Sequence, residues 1–465
     1  MMVSTSSILL SLVVLVTAHC YPSTAFVVSP GRSSTASSSA AFTTKYTQQF
    51  ASTSVETDTP EILPEFSSAE AYLEYLETVS QLPKGFATGT ADGTFISVEA
   101  PGLGNLKIRG TIIQLTDGPT ESWAACFTSN KFPGAPIKVG RKRLASGGPL
   151  QALVINNKVS NVCSGGDGEA DAELVCQAVA DALKLESASL VLPSSTGVIG
   201  WRLPAKELAQ DVVPKAVLNM QSESVLNAAK AIMTTDRYPK VRSKTLSNGA
   251  RIVGIAKGAG MIEPNMATML SYILTDATIP KAKLQAMLSS AVDQTYNCLS
   301  IDGDESTSDT VVSVASNQIE GDVTDEFEEA LLQVCTLLGR HIVNSPLFKC
   351  AVSGNDPNTG RLAAAIGSYM GKYMPDADVS QLSLSLGDRC IFSNGKFVLE
   401  GDEVEKALSG HMKDAEYGDS TDYPPHQKCV EIGVDFGTSV GETSVVVLGS
   451  DLTKEYVVIN ADYRS

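Results

Sequence analysis

The segment from Lys257 to Ala277, KGAGMIEPNMATMLSYILTDA, constrains this chain more than any other. Arg251–Ala256 before it is an apolar run after the Asn248-Gly249 turn, and it reads as a buried strand. Gly258 and Gly260 let the backbone turn sharply and come close to a neighbour. Pro264 and Asn265 add a second break. Met266-Ala267-Thr268-Met269-Leu270 then sets one hydroxyl among apolar side chains, and Leu270–Leu274 begins either a strand or a buried helix. A small residue followed by a hydroxyl residue, after glycines and before an apolar run, suits a peptide bond that cuts itself. The Thr268 oxygen attacks the carbonyl of Ala267, and scission leaves Thr268 with a free α-amine. Such an amine has an unperturbed pKa near ~8 and serves as general base for its own hydroxyl. The alternative reading is a β-branched packing residue whose hydroxyl bonds a nearby carbonyl.

Composition limits the chemistry available. The 465 residues suffice for two or three core-bearing units, and 43% hydrophobic with 19% charged residues describes a globular chain. The net charge of −17, with no basic run apart from Lys138–Arg143, argues against a nucleic-acid partner. Nine cysteines are scattered singly with no C-x-x-C, which argues against a disulfide framework or a zinc site and for a reducing compartment. The four histidines are His19, His341, His411 and His426, so histidine catalysis has little material, and no metal is expected.

Ile8–Ala18 is an apolar run of 11 residues, too short for a bilayer span of ~20. It reads as a signal-type segment, although the first basic residue is Arg32. After Ser23-Thr24-Ala25-Phe26 the chain is rich in Ser, Thr and Ala, with no acidic residue until Glu56. This signal-like then transit-like order resembles the bipartite presequences of algae with complex plastids. Residues 1–48 are read as a removed presequence, with a plastid stroma as first destination and a mitochondrial matrix as the alternative.

Three further segments carry chemistry. Pro193–Gly200 (PSSTGVIG) follows a strand and sets a hydroxyl beside a glycine N–H, two donors side by side for an oxyanion. The same residues also suit a turn that caps a following helix. Thr234-Thr235-Asp236, ahead of Pro239, either binds an amino acid or caps and turns. Lys257 at the glycine turn either pairs with a substrate carboxylate or is an ordinary solvated lysine. Asp302–Thr310 (DGDESTSDT) has the carboxylate spacing of a calcium loop but no closing Glu and a misplaced Gly. It reads as a wall of the site or a structural loop. Helices are expected over Ser67–Thr78, Ala170–Leu185, Lys281–Tyr296 and Thr324–Val343, the last with Thr324 as its N-cap. Short strands are expected over Leu106–Leu115, Ser122–Phe127, Leu150–Asn156, Ser189–Leu192, Val311–Ala315, Leu382–Leu386, Cys390–Phe392, Glu431–Asp435, Ser444–Leu448 and Tyr456–Asn460.

From about Pro83 to Ser465 the chain resembles the ornithine acetyltransferase (glutamate N-acetyltransferase) family, whose members cut before the Thr of an A-T-M-L motif. Ser195–Gly200 is similar to the family's S-T-G-V-I-G, and Ile459–Ser465 to its closing I-N-A-D-Y-R-T/S. Phe127–Phe132 and Asn344–Gly367 also match, whereas Asn156–Cys163 matches only loosely and Asp302–Thr310 departs at Glu305 and Ser308. The family's strand-and-helix unit with a substrate-binding glutamate has no counterpart after Val343.

The resemblance implies an α/β fold, a sandwich of helices around two stacked sheets. It implies an α chain (49–267) and a β chain (268–465) held together as an α2β2 assembly, with no membrane and no nucleic-acid partner. The implied activity is transfer of acetyl from N2-acetylornithine to glutamate, without cofactor, and some family members also take acetyl-CoA as co-substrate. Thr268 is the implied nucleophile, Thr196 and Gly197 the oxyanion hole, and Thr234, Lys257, Asn460 and Ser465 the substrate contacts. Two alternatives remain: a related N-terminal-nucleophile amidase or aminopeptidase, and an uncut, inactive isoform.

Overall fold

The computed structural model of the chain describes residues 11–17, 65–258, 269–300, 306–339 and 445–450, with parts of 352–366 and 382–435. Sixteen strands run in chain order through these residues. They are β1 (Ser11–Thr17), β2 (Phe86–Phe95), β3 (Leu106–Leu115), β4 (Trp123–Phe127), β5 (Ala152–Asn156), β6 (Val191–Ser195), β7 (Lys240–Thr245) and β8 (Arg251–Lys257). The second half supplies β9 (Leu270–Ala277), β10 (Leu299–Ser300), β11 (Thr310–Ile319), β12 (Ser383–Leu386), β13 (Arg389–Ser393), β14 (Lys396–Phe397), β15 (Val430–Asp435) and β16 (Val445–Ser450).

The α/β expectation holds. One sheet has four strands in the order β2-β3-β5-β6, with only β5 and β6 parallel. A second has five in the order β4-β11-β9-β8-β7, with β11 and β9 parallel and the other pairs antiparallel. The two share one apolar cluster. Phe86, Ile113, Leu153, Ile155 and Leu192 from the first sheet join Val253, Ile255, Leu270, Tyr272, Leu274, Val312 and Val314 from the second.

Alternate residues of the same strands face outward, as the period of two requires. Ile252, Ala256 and Ile273 meet Leu284, Met287 and Leu288 of the helix Lys281–Gln294 and Phe327, Leu331 and Val334 of the helix Thr324–Gly339. Ile112 and Val191 meet Val175 and Val179 of the helix Gly168–Leu183, together with Leu208, Val212 and Val213. The choice left open for Leu270–Leu274 is settled by burial. All eight residues of β9 are buried, with hydrogen-bonded neighbours on both edges, so each backbone group finds a cross-strand partner while both side-chain faces stay dry.

Some expectations need correction. The resemblance implies two sheets, whereas the described strands form three. The third has seven strands in the order β10-β16-β1-β15-β12-β13-β14 and a separate core that includes Leu384, Ile391, Leu408, Met412, Val430 and Ile432. Thr324 is not a cap. Its N–H and hydroxyl both donate to Asp322 Oδ1, at 3.2 and 2.8 Å, so the Asp322 carboxylate takes the orphan donor of the helix end. The sequence reading has no helix at Ala135–Ser146, where Pro136 stands in the first turn. Tyr456–Asn460 lies outside the described residues. Among the described residues no helix is long and apolar enough to cross a membrane.

The leader-like run contributes β1, which lies parallel to β15 and antiparallel to β16. A chain starting at residue 49 would leave inner edges of β15 and β16 without this partner. Hydrogen exchange at Val430–Asp435 is therefore expected to be faster in that truncated chain than in the full-length protein, as read by mass spectrometry.

Candidate active site

Strand parity places Lys257. On β8 it shares a face with Val253 and Ile255, so it points between the two stacked sheets. Thr196 follows the last residue of β6 and shares the parity of Leu192, so it points into the same layer from the opposite sheet. The two meet there. Lys257 Nζ donates to Thr196 Oγ1 at 2.5 Å, and the residues are 2% and 3% exposed. With a lone pair of its oxygen already taken by a cation, the Thr196 hydroxyl is left to donate its proton elsewhere.

The loop that carries Thr196 is braced by Asn156 at the end of β5. The Thr196 N–H donates to the Asn156 carbonyl at 3.0 Å, and Ser195 Oγ donates to Asn156 Oδ1 at 2.6 Å. Asn156 Nδ2 in turn donates to the Val159 carbonyl at 2.8 Å. Gly197 has φ +132°, and a Cβ there would sit 2.1 Å from the Lys158 carbonyl carbon. Only glycine fits this position, for both reasons. Among the described residues the Gly197 N–H meets no acceptor, so it stands beside the Thr196 hydroxyl as a second available donor.

Asp236 closes the other side. Its side chain is fully buried and ion-paired to Lys240. It also accepts the Gly258 N–H at 2.8 Å and the Thr234 N–H at 3.3 Å. Lys240 Nζ reaches the Gly258 carbonyl at 3.2 Å as well. The Thr-Thr-Asp segment is thus tied to the glycine turn after β8. Burial works to raise the Asp236 carboxyl, but Lys240, Lys257 and the Gly258 N–H together hold it below the ordinary aspartate value. Burial pushes the Lys257 ammonium down to about 8, against the pull of Asp236 and Asp309 and with the push of Lys240.

The strand after the glycine turn starts at the same place. Lys257 stands opposite Leu270 in the β8–β9 pairing, and the Met269 N–H donates to Asp309 Oδ1 at 2.7 Å. The structure therefore brings together Thr196, Gly197, Lys257 and the Thr234–Asp236 turn, and it seats Met269 beside them. Ala267, Thr268, Asn460 and Ser465 lie outside the described residues. Lys257 is not a solvated lysine, because its hydrogen-bond partner is a buried hydroxyl. Sequence reasoning missed Asn156, Lys240 and the contact made by Asp309. The spacing of Asp236 and Lys240, four residues apart, was a signal for that pair; Asn156 had none beyond its place at a strand end.

A family model described as the ArgJ family matches residues 105–344 and 336–465. The chain belongs to the ArgJ family. The arginine biosynthesis bifunctional protein ArgJ 2 of Clostridium acetobutylicum is 33% identical over 375 residues, 74% of this chain and 90% of that protein. The glutamate N-acetyltransferase of Methanosarcina mazei is 36% identical over 408 residues, 79% of this chain and 97% of that protein. Among solved structures, the ornithine acetyltransferase complexed with ornithine from Mycobacterium tuberculosis has 30% identity and a TM-score of 0.35, covering 41% of this chain and 97% of that one. The two stretches matched by the ArgJ family model overlap at residues 336–344.

Replacing Gly197 by Ala is expected to displace the Thr196 loop and lower acetyl transfer ~100–1,000-fold, the loss typical of one oxyanion donor. Asp236→Asn is expected to cost ~3–5 kcal/mol, as for breaking a buried ion pair, and to show as a lower midpoint in denaturant titration.

Proposed function

We propose that this ArgJ-family acyltransferase moves acetyl from N2-acetyl-L-ornithine to L-glutamate, giving ornithine and N-acetylglutamate. One observation carries the reading: Lys257 Nζ donates to Thr196 Oγ1 in a buried site where Gly197 and the start of β9 converge. The names of its relatives support it.

In this mechanism Thr268 Oγ first attacks the Ala267 carbonyl. The acyl group shifts from nitrogen to oxygen, which frees the Thr268 amine, and water then hydrolyses the ester to part the two chains and restore the Thr268 hydroxyl. In the working enzyme that amine takes the hydroxyl proton as Thr268 Oγ attacks the acetyl carbonyl of acetylornithine. The Thr196 O–H and Gly197 N–H receive the developing oxyanion, each worth ~3–4 kcal/mol of barrier. The tetrahedral intermediate collapses, the C–N bond breaks, and ornithine leaves with the proton. The glutamate amine then attacks the acetyl ester and restores the hydroxyl. Thr234, Asn460 and Ser465 complete the substrate site in this reading. Lys257 acts through Thr196, because its ammonium is spent on that hydroxyl. Loading Thr268 from acetyl-CoA requires only a thioester in place of the amide, so both donors belong in the assay. Composition of residues 1–48 points to an organelle, plastid first, and the cut α and β chains are placed together in an α2β2 assembly.

The meeting of the two family matches at 336–344 favours a second reading. Without the glutamate-bearing unit the chain remains uncut and serves as an inactive subunit. A denaturing gel separates the two: two bands, one beginning at Thr268, support the enzyme, and one persistent full-length band supports the inactive form.

Two outcomes test the enzymatic reading. Thr268→Ala is expected to abolish scission and transfer together, and retained transfer would refute the mechanism. Continued ornithine release after the first turnover is expected to require glutamate, whereas a hydrolase would keep releasing it without. Because the Lys257 charge is present below about 8 and lost above it, kcat is expected to fall as pH rises through that value. Lys257→Met should remove this alkaline limb and leave a slower, flatter profile.

A further inference from the structure

Asp309 is 1% exposed, and nothing in the mechanism above uses it. Its surroundings are built with care. Its backbone carbonyl accepts the Thr128 N–H at 3.0 Å, and the Thr128 hydroxyl donates to the Ser306 carbonyl at 2.6 Å, so the segment ahead of β11 is fastened to the end of β4. Met269 is held at both of its backbone groups. Its N–H donates to Asp309 Oδ1 at 2.7 Å, and its carbonyl accepts the Thr310 N–H at 3.0 Å. Regular pairing of β9 with β11 begins one residue later, at Leu270 opposite Thr310. A side-chain carboxylate thus takes the place of a ladder partner for the last residue before the strand.

A neutral acceptor would also satisfy that N–H, though with a weaker bond, so the clamp alone does not require a charge. Asp309 acts electrostatically on Lys257, together with Asp236 and against Lys240, and these are the charged groups that bear on that ammonium. Two carboxylates thus face two ammonium groups in a nearly dry volume. Removing one carboxylate leaves Lys257 harder to charge, and a neutral Lys257 donates a weaker hydrogen bond to Thr196.

We propose that Asp309 is a positioning residue of the acetyl transfer: its carboxylate clamps the amide that follows Thr268 in the chain and supports the Lys257–Thr196 contact. The first role fixes the backbone at Met269, the residue to which Thr268 is joined. The peptide link ties Thr268 to the clamped residue with Cα atoms ~3.8 Å apart. The second role reaches the oxyanion donor at one remove. Asp309 touches no substrate in this account, and the inference rests on the acetyltransferase reading for its kinetic part.

The test uses the full chain and three variants. Asp309→Asn keeps an acceptor for the Met269 N–H and removes the charge. It is expected to lower kcat ~10–100-fold, to leave the KM for acetylornithine within about threefold, and to move the alkaline limb to lower pH. In a Lys257→Met background, which lacks that limb, adding Asp309→Asn should leave the flat pH profile unchanged. Asp309→Ala also loses the clamp and is expected to slow scission and speed hydrogen exchange at the Met269 amide. A folded Asp309→Asn with wild-type kcat and an unmoved alkaline limb would overturn the electrostatic role. Unchanged exchange at Met269 in Asp309→Ala would overturn the clamp, and this readout needs no catalysis. Wild-type protein is assayed in parallel: its failure to transfer acetyl would sink the activity assignment, whereas a working wild type with indifferent Asp309 variants would sink only this proposal.

Discussion

The hydrogen bond from Lys257 to Thr196 joins two sheets where the end of β8 brings a charge into their shared layer. Along β8 and β9 the residues facing that layer are apolar, from Val253 and Ile255 to Tyr272 and Leu274. At the strand end an ammonium replaces them. A charge so deeply buried is stable only if opposite charges and hydrogen-bond acceptors surround it. Thr196 supplies the acceptor, and Asp236 and Asp309 supply the compensating charge. Much of the polar construction around the site serves these two side chains. Asn156 braces the loop of one, and the Asp236–Lys240 pair fastens the turn after the other.

This arrangement links packing to chemistry. The apolar layer between the sheets excludes water and fixes how closely β6 and β8 approach, and so whether an ammonium and a hydroxyl meet at hydrogen-bond distance. In a dry site each preorganised donor is worth more than in water, since no solvent competes for the developing charge. The left-handed φ of Gly197 and its close approach to the Lys158 carbonyl are local costs of exposing an N–H beside Thr196. The surrounding hydrogen bonds hold that backbone in place. Active-site loops commonly keep such conformations because the scaffold leaves them no alternative.

Local pattern alone made a large part of this protein legible. The alternation and turn residues around β3, β4, β5 and β8 read as strands, and the apolar stripes of Gly168–Leu183, Lys281–Gln294 and Thr324–Gly339 read as helices. These features depend on neighbours within a few residues, which sequence displays directly. Thr196 and Gly197 stood out for the same reason, because a hydroxyl followed by glycine after a strand is a local arrangement. The ArgJ relationship was carried by short ordered motifs, which are also linear.

What sequence left open depends on partners distant along the chain. Whether Leu270–Leu274 is strand or helix turned on β8 and β11 flanking it. The third sheet takes β1 from the start of the chain and β16 from near its end. Thr324 looked like a cap until Asp322 folded back onto it. Lys257 read equally as a solvated side chain or a carboxylate binder, and its actual partner lies 61 positions away; Asp309 reaches Met269 across 40. The sequence by itself determined which segments were strands, helices and tight turns, since backbone sterics and side-chain periodicity act over one or two turns of chain. Only the tertiary structure decided which charges are buried together, because that follows from how two sheets stack and which strand ends then coincide.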